Sequence, residues 1–77
     1  MKVFVAVYEH RHGTDVTVFA THDAAWALRQ EIARDWWSDV FSAAVPAPKD
    51  PEIAADRYWE AVNDEYFNVF DRDVIEA

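Results

Sequence analysis

A single glycine does most to limit how this chain folds. It closes the segment His10-Arg11-His12-Gly13, which separates two stretches that alternate with a period of two. Before it, Val3, Val5 and Val7 alternate with Phe4, Ala6 and Tyr8. After it, Val16, Val18 and Ala20 alternate with Asp15, Thr17, Phe19 and Thr21. A period of two marks a strand, because successive side chains point to opposite faces. The first stretch is apolar on both faces, which suits a central strand. A tight turn needs a residue that tolerates positive φ, and Gly13 is the only glycine in the chain. These features predict a β-hairpin over residues 2–21.

The period then changes to that of a helix. Residues 22–43 predict one long helix, with Thr21 or Asp23 as its cap. Ala25, Leu28, Ile32, Trp36 and Val40 recur at three- and four-residue steps and form an apolar stripe. Trp26, Ala33, Trp37 and Phe41 widen it, and Glu31, Arg34 and Ser38 lie opposite. Pro46 and Pro48 make residues 44–50 a linker. Asp50-Pro51-Glu52 is a strong helix start, with an N-cap and a proline in the first turn. It opens a second helix over 51–63, whose stripe is Ala55, Tyr58, Trp59 and Val62. Residues 65–71 predict a third strand, with Phe67 and Val69 on one face and Tyr66, Asn68 and Phe70 on the other. In the tail, Val74 and Ile75 are apolar enough to pack.

The resulting class is α+β, in the order ββααβ. A small antiparallel three-stranded sheet carries two helices on one face, in a single domain of 77 residues. The expected core joins Val3, Val5, Val7, Val16, Val18 and Val69 to Leu28, Ile32 and Trp36. The alternative is that the third strand does not form and the tail wraps a helix.

Composition removes several classes. A domain of this length buries only about 60% of the surface its unfolded chain exposes, so its core is thin. There is no cysteine, hence no disulfide, thiol nucleophile or Cys-ligated zinc. An apolar content of 52% is too high for a disordered acidic tail. The N-terminal apolar run is too short for a signal peptide, and no stretch approaches the ~20 apolar residues of a membrane span. The expected location is the cytoplasm. One glycine cannot build a phosphate-binding loop.

Charge is the strongest functional signal. The chain has 15 acids against 7 Lys and Arg, a net charge of −8. That balance argues against direct binding of nucleic-acid phosphates and for a basic protein surface as partner. The charge is also uneven. Residues 1–49 hold six acids and five bases, a net of −1; residues 50–77 hold nine acids and two bases, a net of −7. Glu52, Asp56 and Glu60 fall in one row on the second helix, and Glu31, Asp35 and Asp39 do the same on the first. The candidate acidic binding residues are Glu52, Asp56, Glu60, Asp64, Glu65, Asp71 and Asp73. Such rows serve as a solvated face or as a docking surface. In its sharpest form the docking surface imitates the phosphate row of a nucleic acid, which steps about every 3.4 Å per strand.

The aromatic content exceeds what one interior needs. With the valines turned inward, Phe4, Tyr8 and Phe19 fall on the far face of the hairpin, and Trp26 and Trp37 on the flank of the long helix. These five are the candidate aromatic binding residues, of a type that anchors interfaces. Catalysis is poorly supported. Ser38 and Ser42 have no histidine near them in sequence, and the acid pairs Asp64–Glu65 and Asp71–Asp73 lack an evident pocket. His10 and His12 are candidates for a metal, since imidazole suits zinc, copper or nickel; the third ligand would have to be Asp15 or a distant acid, and the two histidines flank a tight turn that need not be extended. No cofactor is expected.

Tyr8 to Asp15, the Trp36-Trp37 pair and the closing Tyr66 to Phe70 resemble short hypothetical proteins of bacteria, their phages and mobile elements. The resemblance covers most of the chain and implies no activity. The leading expectation is a small acidic, non-catalytic protein-binding module, in its sharper form an inhibitor of the anti-CRISPR or anti-restriction kind. The alternatives are a metal-binding or catalytic protein using His10 and His12, and a structural homodimer.

Overall fold

A computed structural model describes residues 1–75. Its elements are β1 (Lys2–His10), β2 (Gly13–Phe19), α1 (His22–Val40), α2 (Pro51–Ala61) and β3 (Tyr66–Asp73). The order is ββααβ, and the three strands form one antiparallel sheet in the order β2-β1-β3. The chain divides into two compact units. One is Met1–Leu28 with the chain from Asp64 onward; the other is Arg29–Asn63.

The first unit is the sheet with the opening turns of α1. β1 is the central strand, as its two apolar faces implied. The turn between β1 and β2 is Arg11-His12, and Gly13 has the positive φ, 134°. No described residue other than Gly13 has a positive φ, so this turn is not of the primed type. Thr21 caps α1: its hydroxyl accepts from the Ala24 N–H at 3.1 Å.

Register decides which face is inward. Directly paired residues share a face. Phe4 pairs with Phe19, Ala6 with Thr17 and Val69, and Tyr8 with Asp15 and Phe67. The first turns of α1 lie on this face: His22 meets the Phe4 ring edge-on at 5.8 Å, and Trp26 meets Phe67 at 6.2 Å. Ala6 and Ala25 are 1% and 0% exposed.

The expected valine core is therefore corrected. Val3, Val5 and Val7 share the opposite face with Val16, Val18, Tyr66, Asn68 and Phe70. Val16 and Val18 are each 61% exposed. Val69 does turn inward, beside Ala6 rather than beside the valines. The larger aromatic side chains of β1 occupy the covered face, where they remove more apolar area from water. In the tail, Val74 is partly exposed and Ile75 almost wholly so, and neither joins a core.

The second unit is a helical hairpin. Its buried residues are Ile32, Ala33 and Trp37 on α1 and Ala54, Ala55 and Tyr58 on α2. Trp36 falls within the apolar stripe by periodicity yet is 51% exposed, a second correction to the expected core. α1 stops at Val40, short of residue 43. The Trp37 indole N–H donates to the Val45 carbonyl at 2.8 Å, and Pro46 disfavours helical backbone at the residue before it. At α2, Asp50 accepts from the Glu52 N–H at 2.9 Å and the Ile53 N–H at 3.4 Å, with Pro51 in the first turn. The helix ends at Ala61 because Val62 is extended, with φ −79° and ψ 128°.

Candidate interaction surfaces

The acids of the last third divide between the two units. Glu52, Asp56 and Glu60 belong to the second unit, and Asp64, Glu65, Asp71 and Asp73 to the first. Within the second unit, the α2 row turns two members toward α1. Arg29 meets Asp56 at 3.1 Å and Glu52 at 3.8 Å, and Gln30 donates to Glu52 at 2.6 Å. Trp59 donates its indole N–H to the Arg29 carbonyl at 3.2 Å. The Arg29 side chain is only 14% exposed, so these carboxylates compensate a cation the hairpin nearly buries. Glu52 and Asp56 thus hold the two helices together, a role the row spacing did not show.

Other acids have no such partner. Among the described residues, no cation lies within 4.0 Å of Glu31, Asp39, Glu60, Asp64 or Asp73. Asp35 has only the adjacent Arg34, at 3.4 Å between two exposed side chains. Glu31, Asp35 and Asp39 are all exposed, so the carboxylate row of α1 is open to solvent. In the first unit, Lys2 and Asp71 form an exposed pair at 3.5 Å. Glu65 is half-buried beside Tyr8, whose hydroxyl hydrogen-bonds to it. Burial first, and then this bond and the Glu65 charge, push the Tyr8 hydroxyl well above its ordinary value of 10.0.

The five aromatic candidates are not displayed together. Phe4, Tyr8 and Phe19 are half-buried on the sheet face that meets α1. Trp26 is half-buried, stacked on His22 at 5.9 Å. Trp37 is 7% exposed and stacks on Phe41 at 4.2 Å, which makes it a core residue of the second unit rather than an offered anchor. The displayed apolar surface is instead the valine face of the sheet. Sequence reasoning missed it because β1 is apolar on both sides. The residue that marks the covered side is Ala6, the one buried residue of β1.

His10 is held at the turn end of the hairpin. Its Nε2 lies 2.9 Å from the Asp15 carboxylate, and its Nδ1 accepts from the His12 N–H at 3.3 Å. The neutral tautomer that satisfies both contacts carries its proton on Nε2 and uses the Nδ1 lone pair. Both ring nitrogens that a metal would take are engaged. Among the described residues, no three His, Cys, Asp or Glu side chains gather with metal-binding spacing. Ser38 and Ser42 are exposed. A hollow of about 300 Å³ in the second unit is lined by Phe41, Arg57, Glu60 and Ala61. No histidine or hydroxyl lines it. No helix among the described residues is long and apolar enough to cross a membrane.

No family model matches this chain, and no curated protein or solved structure shows significant similarity to it.

Proposed function

We propose that this is a small acidic, non-catalytic protein-binding module whose partner presents a basic surface. The observation that carries the reading is the open carboxylate row of α1, Glu31, Asp35 and Asp39. Acids one turn apart repel one another and cost some helix stability unless a cation relieves them. On α2 the nearly buried Arg29 supplies that cation; on α1 there is only the exposed Arg34, next to Asp35. A partner rich in Lys and Arg would supply it, and the net charge of −8 would speed the encounter. Partners of this kind include the nucleic-acid-binding grooves of larger complexes, the setting of an anti-CRISPR or anti-restriction inhibitor. The chain's own charge disfavours direct contact with nucleic acid.

The test is capture of partners from a bacterial lysate on immobilised protein, followed by calorimetry with the captured protein. The parent chain should bind it, and salt should weaken the binding steeply. The variant Glu31→Gln, Asp35→Asn, Asp39→Asn should lose most of the affinity while keeping its circular dichroism. Binding that ignores both salt and the triple variant would refute the proposal.

A further inference from the structure

The open face of the sheet belongs to the first unit and the carboxylate rows of the helices to the second, and the charges of this face follow a different plan. Its apolar area is Val3, Val5, Val7, Val16, Val18 and Phe70. Of the strand residues on this face only two are charged, Glu9 and Arg72. Arg72 pairs with Val3 at one end of β1, and Glu9 stands six positions further along the same strand. At the rise of a strand that is about 20 Å, too far for the two to meet within one chain. Among the described residues neither has an opposite charge within 4.0 Å. The Arg72 guanidinium lies over the Phe70 ring, 5.6 Å from its centre, so its charge sits on this face.

We propose that this face is occupied by a second copy of the chain, docked face to face about a two-fold axis that runs across the strands. Such an axis reverses strand direction between the two sheets. The row of Val3 and Arg72 then lies over the row of Glu9 and Tyr66 in the second copy. Both charges find partners, and symmetry makes the contact twice. The rows of Val5, Val18 and Phe70 and of Val7, Val16 and Asn68 meet between them. A two-fold axis along the strands would instead stack Glu9 on Glu9. The charge pattern thus selects one arrangement, with sheets packed at about 10 Å.

The size of the face sets the strength. Three strands by four rows cover about 14 Å by 26 Å, roughly 360 Å² per copy. A standard stable interface takes about 800 Å² per partner. The dimer is therefore weak, dissociating in the micromolar range or above. Each copy also carries −8, so the two repel in dilute buffer, and salt screens this within a Debye length of about 8 to 10 Å. Self-association should strengthen with salt, whereas binding of a basic partner should weaken. Failure of one proposal therefore leaves the other standing.

Sedimentation velocity of the full chain between about 1 and 200 µM, in 50 and 500 mM salt, tests it. The expected result is a monomer–dimer shift that moves severalfold to lower concentration in high salt. Glu9→Arg and Arg72→Glu should each weaken the dimer about tenfold, and the double variant should return to within about threefold of the parent. Val16→Lys, at an exposed position, should remove the dimer with circular dichroism unchanged. A chain that stays monomeric at the highest concentration in both salts overturns the proposal and leaves the face to a foreign protein. So does a dimer indifferent to Val16→Lys, which would place the contact elsewhere, or a double charge swap as weak as the single ones.

Discussion

Replacing Tyr58 by alanine should be far more damaging than replacing Trp36, although periodicity alone favours the tryptophan as core. Tyr58 is 0% exposed and packs edge-on against Trp59 at 5.1 Å. Truncation to alanine removes about 150 Å² of buried side chain, worth about 4 kcal/mol at ~25 cal/mol per Å². That agrees with the ~3 to 5 kcal/mol usual for buried aromatic residues. Trp36 is 51% exposed, so its truncation removes about 100 Å² of buried area, and water rather than a cavity takes its place. About 2.5 kcal/mol is expected there. A domain of this length has a total stability of roughly 4 to 11 kcal/mol, so Tyr58→Ala brings it close to unfolding. Urea denaturation followed by far-ultraviolet circular dichroism, with midpoints compared at a common slope, measures both. Equal losses for the two variants would refute the reasoning and return Trp36 to the core.

Three further outcomes follow from the same contacts. Asp50→Ala removes the acceptor for two backbone N–H groups at the start of α2 and should cost about 1 kcal/mol by the same urea assay. Glu52→Gln with Asp56→Asn should destabilise by about 1 kcal/mol, because Arg29 loses both carboxylates, whereas Glu60→Gln should change stability by less than about 0.5 kcal/mol. Tyr8 gives a pH dependence: its hydroxyl titrates higher folded than unfolded, so its contribution is full below pH 10.0 and is lost as pH rises beyond that. Urea midpoints at pH 8 and pH 11 should diverge for the parent and converge for Tyr8→Phe, once losses common to both are subtracted.

The elements were legible in the sequence because each rests on local chemistry. Gly13 marks the hairpin turn, Asp50-Pro51 starts α2, and the apolar run from Val3 to Tyr8 makes β1 central. The inward face of the sheet was not legible. β1 offers an apolar set on either side, and the choice depends on register with β3 and on where α1 lands, both long-range facts. The error then propagated. Turning the valines inward made Phe4, Tyr8 and Phe19 look surplus, when they face α1. The acid row of α2 misled for a related reason. Spacing placed Glu52, Asp56 and Glu60 together, but only the pairing of α2 with α1 brings Arg29 of α1 to two of them. The end of α1 was overshot because Ala43 and Ala44 suit a helix, while Pro46 and the Trp37–Val45 bond act from outside that stretch. The end of β3 was undershot because Arg72 and Asp73 pair by backbone alone, with Val3 and Lys2.

The central proposal is that the acid row of α1, which has only the exposed Arg34 beside Asp35 to relieve it, is paired by a basic protein. The most direct measurement is the slope of log affinity against log salt for a captured partner, between about 50 and 500 mM. The parent should show a steep negative slope, and the chain with Glu31, Asp35 and Asp39 neutralised a shallow one at lower affinity. Two parallel slopes of equal affinity would mean that the row is only a solvated face, and would contradict the account.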